Sequence, residues 1–302
     1  MSSSSEVSVR RSPIPASIRA MRPKQWVKNL LVFTAPLAAG AVLKPQVFAQ
    51  SALAFVAFCA ISASIYLIND IRDVESDRQH PKKRLRPIAA GELSPRAALV
   101  LAIGMVVGAL GLGFWTAPWL AVVLAVYWVL QVGYSLFAKN QPIVDLAMVA
   151  AGFLLRAVAG GVASAIPLSQ WFLLVASFGS LFMVAGKRYS EMVQLGAEAG
   201  TRASLARYTT TYLRFVWTLS AGLVIAAYSL WAFDLRTASG TQWAGIPWAQ
   251  VSIAPFTLAM LRYAYEIDQG QAGEPEDVVL GDRMLQAMGL CWAIPIALMF
   301  VH

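Results

Sequence analysis

Long unbroken apolar runs, separated by short polar breaks, organise this chain of 302 residues. Nine of them, at about 27–43, 48–69, 97–114, 118–137, 143–163, 169–186, 212–233, 247–265 and 283–301, reach or approach the roughly 20 residues a helix needs to cross the hydrocarbon of a bilayer. The runs are continuous rather than alternating and rich in Ala, Leu, Gly and Met, which favours helices over the two-residue period of a membrane β-barrel. The run at 247–265 is the least regular, because Pro247 and Pro255 interrupt it. The expected fold is an all-α polytopic membrane protein of nine transmembrane helices, forming a single domain over residues 19–302. Residues 1–18 open with four serines after Met1, contain no apolar signal-peptide core, and read as a disordered tail.

Composition supports the same solvent. Hydrophobic residues make up 58% and charged residues only 13% of the chain, whereas a soluble domain is about a quarter charged. That excludes an ordinary soluble globule and a disordered chain. Cys59 and Cys291 both lie inside apolar runs, so no disulfide framework is indicated, and His80 and His302 are too few for a histidine metal cage.

The placement of charge fixes the expected topology. With nine spans and the N-terminus inside, 21 of the 24 Lys and Arg residues fall in cytoplasmic segments, against Lys44 and Arg236 outside and Arg156 within span five. Cytoplasmic loops are where Lys and Arg accumulate. Two of these inside segments, about 70–96 and 187–211, are long and polar, and loops of that length tend to be functional. Chemistry is therefore expected at the cytoplasmic face.

Span two ends in Asn69-Asp70-Ile-Arg72-Asp73-Val-Glu75-Ser-Asp77-Arg78. On an α-helix, positions 69, 73 and 77 drift by only about 40° per step, so an amide and two carboxylates share one face over roughly 12 Å, with Asp70 on its flank. Oxygen donors without neighbouring His or Cys suit Mg²⁺, which takes one or two carboxylates together with substrate phosphates. A solvated helix end is the plainer alternative, but ionisable groups beside a membrane core are costly enough to mark function. The run from Arg78 through Lys83 to Arg86 follows directly. It suits a topology determinant or lipid-headgroup contact as well as a phosphate clamp, and its adjacency to a metal site favours the clamp.

Asn69-Asp70-x-x-Asp73-x-x-x-Asp77, followed by Pro81-x-Lys83-Arg84-x-Arg86-Pro87-Ile88-Ala-x-Gly91, closely resembles the first signature of the UbiA-type intramembrane prenyltransferase superfamily. Tyr134-Ser135 with Lys139 is similar to that family's segment at the end of the fourth span. The resemblance implies a nine-helix bundle with a cytoplasmic active site, covering about residues 19–302. Typical members carry a second Asp-rich motif after span six. This chain instead reads Gly186-Lys187-Arg188-Tyr189-Ser190-Glu191 there, which departs from binding a prenyl diphosphate through metal at both motifs.

That segment and Arg22-Pro23-Lys24-Gln25-Trp26-Val27-Lys28 look like an actinobacterial branch of the superfamily. The branch moves a 5-phosphoribosyl group from phosphoribosyl diphosphate to a polyprenyl (decaprenyl) phosphate, for arabinan precursors of the cell wall. The resemblance then implies Mg²⁺ held by Asn69, Asp73 and Asp77, with Asp70 in support and Glu191 as a further oxygen donor. Lys24, Lys28, Arg78, Lys83, Lys187 and Arg188 would grip phosphate, and Tyr134, Lys139 and Tyr189 would orient the donor or the lipid phosphate. It also implies a bacterial inner-membrane location, a setting that accommodates a homo-oligomer.

Two alternatives are weaker. Prenyl transfer to an aromatic or other small acceptor calls for the missing second acidic motif. A transporter calls for charges relayed through the bilayer, whereas these gather at one face. Arg156, deep in span five, is expected either to line the active cavity or, the favoured reading, to form a structural pair with an acid such as Asp145, three turns away on the same face. Gly152, Gly160 and Gly161 are expected to mark close helix packing. No nucleic-acid module is present in the sequence.

Overall fold

A computed structural model describes residues 14–138, 141–196, 205, 207–238 and 245–300. The elements described are all helical. Six helices are long and apolar enough to cross a membrane: α3 (Pro45–Arg72), α5 (Pro95–Thr116), α6 (Pro118–Gly133, extended by a π-helical turn Tyr134–Ala138), α7 (Val144–Ala163), α8 (Gln170–Leu195) and α9 (Thr210–Ala238). Three start on a proline, whose missing N–H costs nothing in a first helical turn. The Ser94 and Ser169 hydroxyls cap α5 and α8 by accepting from the amides of Ala97 and Phe172.

The other three expected spans are shorter or broken. The run at 27–43 forms a 3-10 helix (Pro23–Phe33) and then the short α2 (Thr34–Ala38), ending at Gly40 with φ +62°. Within it Asn29 is turned inward and buried, and its carboxamide makes polar bonds across the bundle. The run at 247–265 is split into α10 (Trp248–Val251) and α11 (Ile253–Asp268). Pro255 lacks the N–H that would have bonded the Val251 carbonyl, so the helix breaks at Ser252. The last run is α13 (Arg283–Met299), 17 residues long with Pro295 inside and capped by Asp282. At the other end, helix α1 (Ala16–Ala20) begins within the segment expected to be a tail, whose first 13 residues lie outside those described.

Helix α7 joins two packed groups. Its first half contributes Leu146 and Ala150 to a core with Phe182, Leu213, Trp217 and Ile267 from α8, α9 and α11. Its second half contributes Ala159 and Ala163 to a core with Val32, Phe58, Ile61, Leu120 and Leu124. A third cluster, Ala20, Leu67, Ile88, Ala98 and Ala102, packs the inner end of α3 against α1 and α5. Large apolar side chains such as Val100, Ile103, Val107 and Trp115 cover the outside of α5, as a helix facing lipid requires.

Glycine sets the approach of α7 to the 3-10 helix. A Cβ on Gly160 would run into the carbonyl oxygen of Val32, with Pro36 close behind. Gly160→Ala is therefore expected to lower stability by about 1–3 kcal/mol, the usual range for overpacking, read as a lower Tm in detergent. Gly108→Ala in α5, where nothing lies within 4 Å, should leave Tm unchanged or raise it.

Candidate active site

The expected site residues lie at the C-terminal end of α3, where the helix is interrupted but its four-residue hydrogen-bond spacing continues. Helix α3 stops at Arg72, Asp73 adopts φ −93° and ψ 11°, and α4 (Val74–Gln79) follows. The Asp73 amide still donates to the Asn69 carbonyl (2.9 Å), and the Asp77 amide to the Asp73 carbonyl (2.8 Å). The four-residue spacing of Asn69, Asp73 and Asp77 thus survives.

Their environments differ. Asp70 and Asp77 are each only 2% exposed, and both are held by Arg86, whose Nη1 lies 2.6 Å from Asp77 and 3.1 Å from Asp70. Arg22 reaches Asp70 from the N-terminal segment (2.5 Å) and stacks over the Tyr66 ring. Arg22 itself has φ +53°, a left-handed conformation uncommon for a residue with a side chain. Asp73 is partly exposed and contacts the guanidinium of its neighbour Arg72 at 3.2 Å. Asn69 accepts a hydrogen bond from the Ser135 hydroxyl (2.5 Å), and Arg72 donates to the Ser135 carbonyl (2.7 Å). Ser135 sits in the π-helical turn, a feature frequent at functional sites.

Among the described residues no three or more Asp, Glu, His or Cys side chains are gathered closely enough to cage a metal. The donor chemistry nonetheless fits Mg²⁺. Asn69 and Asp73 offer hard oxygens beside the mouth, and this ion binds through one or two carboxylates plus phosphates and water rather than in an all-protein cage.

The surrounding cations fall into two classes. Lys83 is exposed, and Lys24 and Lys28 lie on the 3-10 helix. Three residues per turn there set the two lysines about 120° apart rather than the 40° or so of an α-helix. Tyr134 opens the π-helical turn beside Ser135, and Lys139 lies outside the described residues. Arg78 ties its loop together by donating to the Ala89 carbonyl (3.3 Å) and pairing with Glu75 (2.9 Å).

The segment expected to be a loop after span six instead continues α8 as far as Leu195, and its side chains are engaged elsewhere. Lys187 pairs with Glu274 (3.1 Å) and Glu191 (3.8 Å). Glu191 lines a polar cavity of about 330 Å³ with Gln194, Gln271, Glu274 and Asp277, and no carboxylate of the second span is in its walls. Tyr189 is buried, accepts from Arg214 (2.5 Å) and faces Asp268.

Arg188, expected to grip phosphate, instead pairs with buried Asp145 at 2.8 Å and so fastens α8 to α7. Asp145 also accepts from the Tyr208 hydroxyl, whose oxygen in turn takes the Ile143 amide (2.8 Å). Burial first, and then the bond to the Asp145 carboxylate, push the Tyr208 phenol above its ordinary value.

The expected pairing of Arg156 with Asp145 is therefore incorrect. Arg156 is buried and bonded by neutral groups: Asn29 Oδ1 (2.8 Å), the Gly152 carbonyl (2.7 Å) and the Tyr127 hydroxyl (2.6 Å). Its guanidinium also lies over the Tyr127 ring at 4.8 Å. Ser135, Arg22, Arg72 and Arg86 are the site residues missing from the expected set. Arg86 stands inside the quoted signature, and Ser135 beside Tyr134.

Three comparisons bear on this geometry. The UbiA prenyltransferase family profile matches residues 30–285. A protein of Corynebacterium glutamicum named decaprenyl-phosphate phosphoribosyltransferase is 51% identical over 288 residues, covering 93% of this chain and 85% of that protein. One of the same name from Mycolicibacterium smegmatis is 52% identical, covering 91% and 89% respectively. Among solved structures, a UbiA homolog from Archaeoglobus fulgidus bound to DMAPP and Mg²⁺ superposes with a TM-score of 0.68 at 17% identity, over 94% of this chain and 98% of that one. The last comparison speaks to the fold.

Two outcomes follow for the Asp145 group. Arg188→Met should destabilise the protein by about 3–5 kcal/mol, because it strands a buried carboxylate; thermal unfolding in detergent reads this. Since the folded-state phenol of Tyr208 is raised, its stabilising contribution is complete below about pH 10 and is lost as pH climbs through the elevated value. Tyr208→Phe should therefore lower Tm at neutral pH and flatten its alkaline fall.

Proposed function

The chain belongs to the UbiA prenyltransferase family, and from that premise we propose that it transfers a 5-phosphoribosyl group from phosphoribosyl diphosphate to a polyprenyl phosphate, releasing diphosphate. The observation that carries this reading is the half-identity, over nine-tenths of the chain, to proteins named decaprenyl-phosphate phosphoribosyltransferase. The missing aspartates after span six agree with it, as does the surplus of cations around the mouth. A donor with a second phosphate and an acceptor with another need more positive charge than a prenyl diphosphate does.

In this reading Asn69 and Asp73 hold Mg²⁺, with Asp77 joining them. The bound ion would neutralise charge developing on the leaving diphosphate. Asp70, fixed by Arg22 and Arg86, orients the inner end of α3 and the basic loop toward each other. Ser135 orients the Asn69 amide. Lys24, Lys28, Lys83 and Lys139 receive the donor's phosphates, with Arg78 and Lys187 recruited from their present partners, and Tyr134 lies against the donor.

The lipid phosphate oxygen attacks C1 of the ribose on the face opposite the departing diphosphate, so an α donor gives a β product. That nucleophile is already anionic, so no strong general base is required. The chain is a multi-pass membrane protein. Nine crossings, an inward N-terminus and a cytoplasmic active site in a bacterial inner membrane are part of the proposal, supported by the one-sided distribution of Lys and Arg. The product would feed the cell-wall arabinan precursors.

Purified protein offered each donor in turn tests the proposal. Label from ribose-phosphate should enter decaprenyl phosphate, and Asp73→Ala should reduce that transfer by about a hundredfold or more with Tm unchanged. Prenylation of an aromatic acid, without ribose-phosphate transfer, would overturn it.

A further inference from the structure

Asp70 and Asp77 are almost fully enclosed, yet the arginines that compensate them are not. Side-chain exposure is 2% for each carboxylate, 27% for Arg86 and 29% for Arg22. A solute approaching from outside therefore meets guanidinium groups before it meets the carboxylates behind them. Arg86 Nη1 sits between the two acids at 2.6 and 3.1 Å, the place where a cation shared by Asp77 and Asp70 would stand. The ligand set drawn from the sequence and this geometry thus compete over Asp77: its Oδ2 is taken by Arg86, and a divalent ion on the same carboxylate would stand against that guanidinium.

We propose that Arg86 is a surrogate cation that keeps Asp77 from metal until a diphosphate arrives. A divalent ion entering alone would take Asp77 from Arg86 and leave Arg86 and Arg22 sharing the single carboxylate of Asp70, with one positive charge uncompensated. A divalent ion entering with a diphosphate offers Arg86 an anion in exchange. The guanidinium moves from Asp77 to a phosphate oxygen, the ion takes Asp77, and the number of paired charges is preserved. Arg22 stays on Asp70 through this exchange, so Asp70 does not become a second bare carboxylate. Arg86 is well suited to the task, because its single Nη1 serves both carboxylates and the planar guanidinium fork also matches phosphate. Metal and diphosphate then bind cooperatively, and by linkage each tightens the other by the same factor. The inference rests on placing metal at Asn69, Asp73 and Asp77.

The test is Mn²⁺ binding to the detergent-solubilised full chain, followed by electron paramagnetic resonance, with and without inorganic diphosphate. Diphosphate alone is the probe, so the result does not depend on which donor the enzyme uses. Free-solution Mn²⁺–diphosphate is subtracted with protein-free controls. In the wild type, diphosphate should tighten Mn²⁺ binding by about tenfold or more. In Arg86→Gln, Mn²⁺ should bind more tightly without diphosphate, and the enhancement should shrink to about twofold or less.

Arg96→Gln removes an exposed positive charge at the start of α5, outside the basic run, and should behave as wild type. If Arg86→Gln does not fold, Arg86→Lys retains a cation but not the fork, and the enhancement should fall between the other two. Unchanged Mn²⁺ affinity and unchanged enhancement in the Arg86 variants would overturn the proposal. Persistence of the coupling in a protein that fails to transfer ribose-phosphate would instead overturn the proposed function and leave the role of Arg86 standing.

Discussion

Two buried carboxylates, Asp70 and Asp77, organise the C-terminal end of α3 and the segments packed on it. Neither Asp70 nor Asp77 is reachable by water to any useful extent, and an isolated ionised carboxylate in such a place is strongly disfavoured. Their compensation is therefore compulsory, and it comes from far along the chain. Arg22 brings in the segment before the first apolar run, and Arg86 brings in the loop that follows the signature. A further pair, Arg19 with Glu92 at 2.8 Å, stitches the same two segments together nearer the surface. The mouth of the bundle is thus built by electrostatic necessity, with the apolar contacts of Ala20, Leu67, Ile88 and Ala98 beneath it.

The same rule shapes the rest of the bundle. Each ionisable group that α7 carries into the interior is matched to partners on other helices. Asp145 at its inner end takes a full countercharge from Arg188. Arg156 takes neutral oxygens and aromatic faces. Because α7 belongs to both hydrophobic cores, these polar bonds also fix how the two halves of the bundle meet. Glycine performs the steric part: Gly160 admits the Val32 backbone, and Gly152 leaves room for Gln131.

Much of this was legible in the residues, and the rest was not, for identifiable reasons. Helical periodicity carries Asn69, Asp73 and Asp77 onto one face, and the chain preserves that spacing even where the helix breaks at Asp73. Continuous apolar runs identify the long helices well, since a run such as 48–69 contains nothing that resists an α-helix. They misjudge 27–43, where Asn29 turns inward, and 247–265, where Pro255 withholds one hydrogen bond. The Asp145 assignment failed because intrahelical spacing was the available guide, while the actual partners, Arg188 and Tyr208, arrive from residues 43 and 63 positions later. Ser135 is quoted beside Tyr134 but receives no role from the sequence, because a serine hydroxyl carries no charge and only tertiary placement brings it to Asn69.

Arg156 has a consequence that reaches beyond its own contacts. A guanidinium keeps its proton at any pH a cell experiences, and here its bonded partners are uncharged. Its field is consequently not cancelled by an adjacent anion, nor damped by mobile ions as surface charge is. The interior of the bundle thus carries a standing positive potential that neither acid nor salt easily switches off.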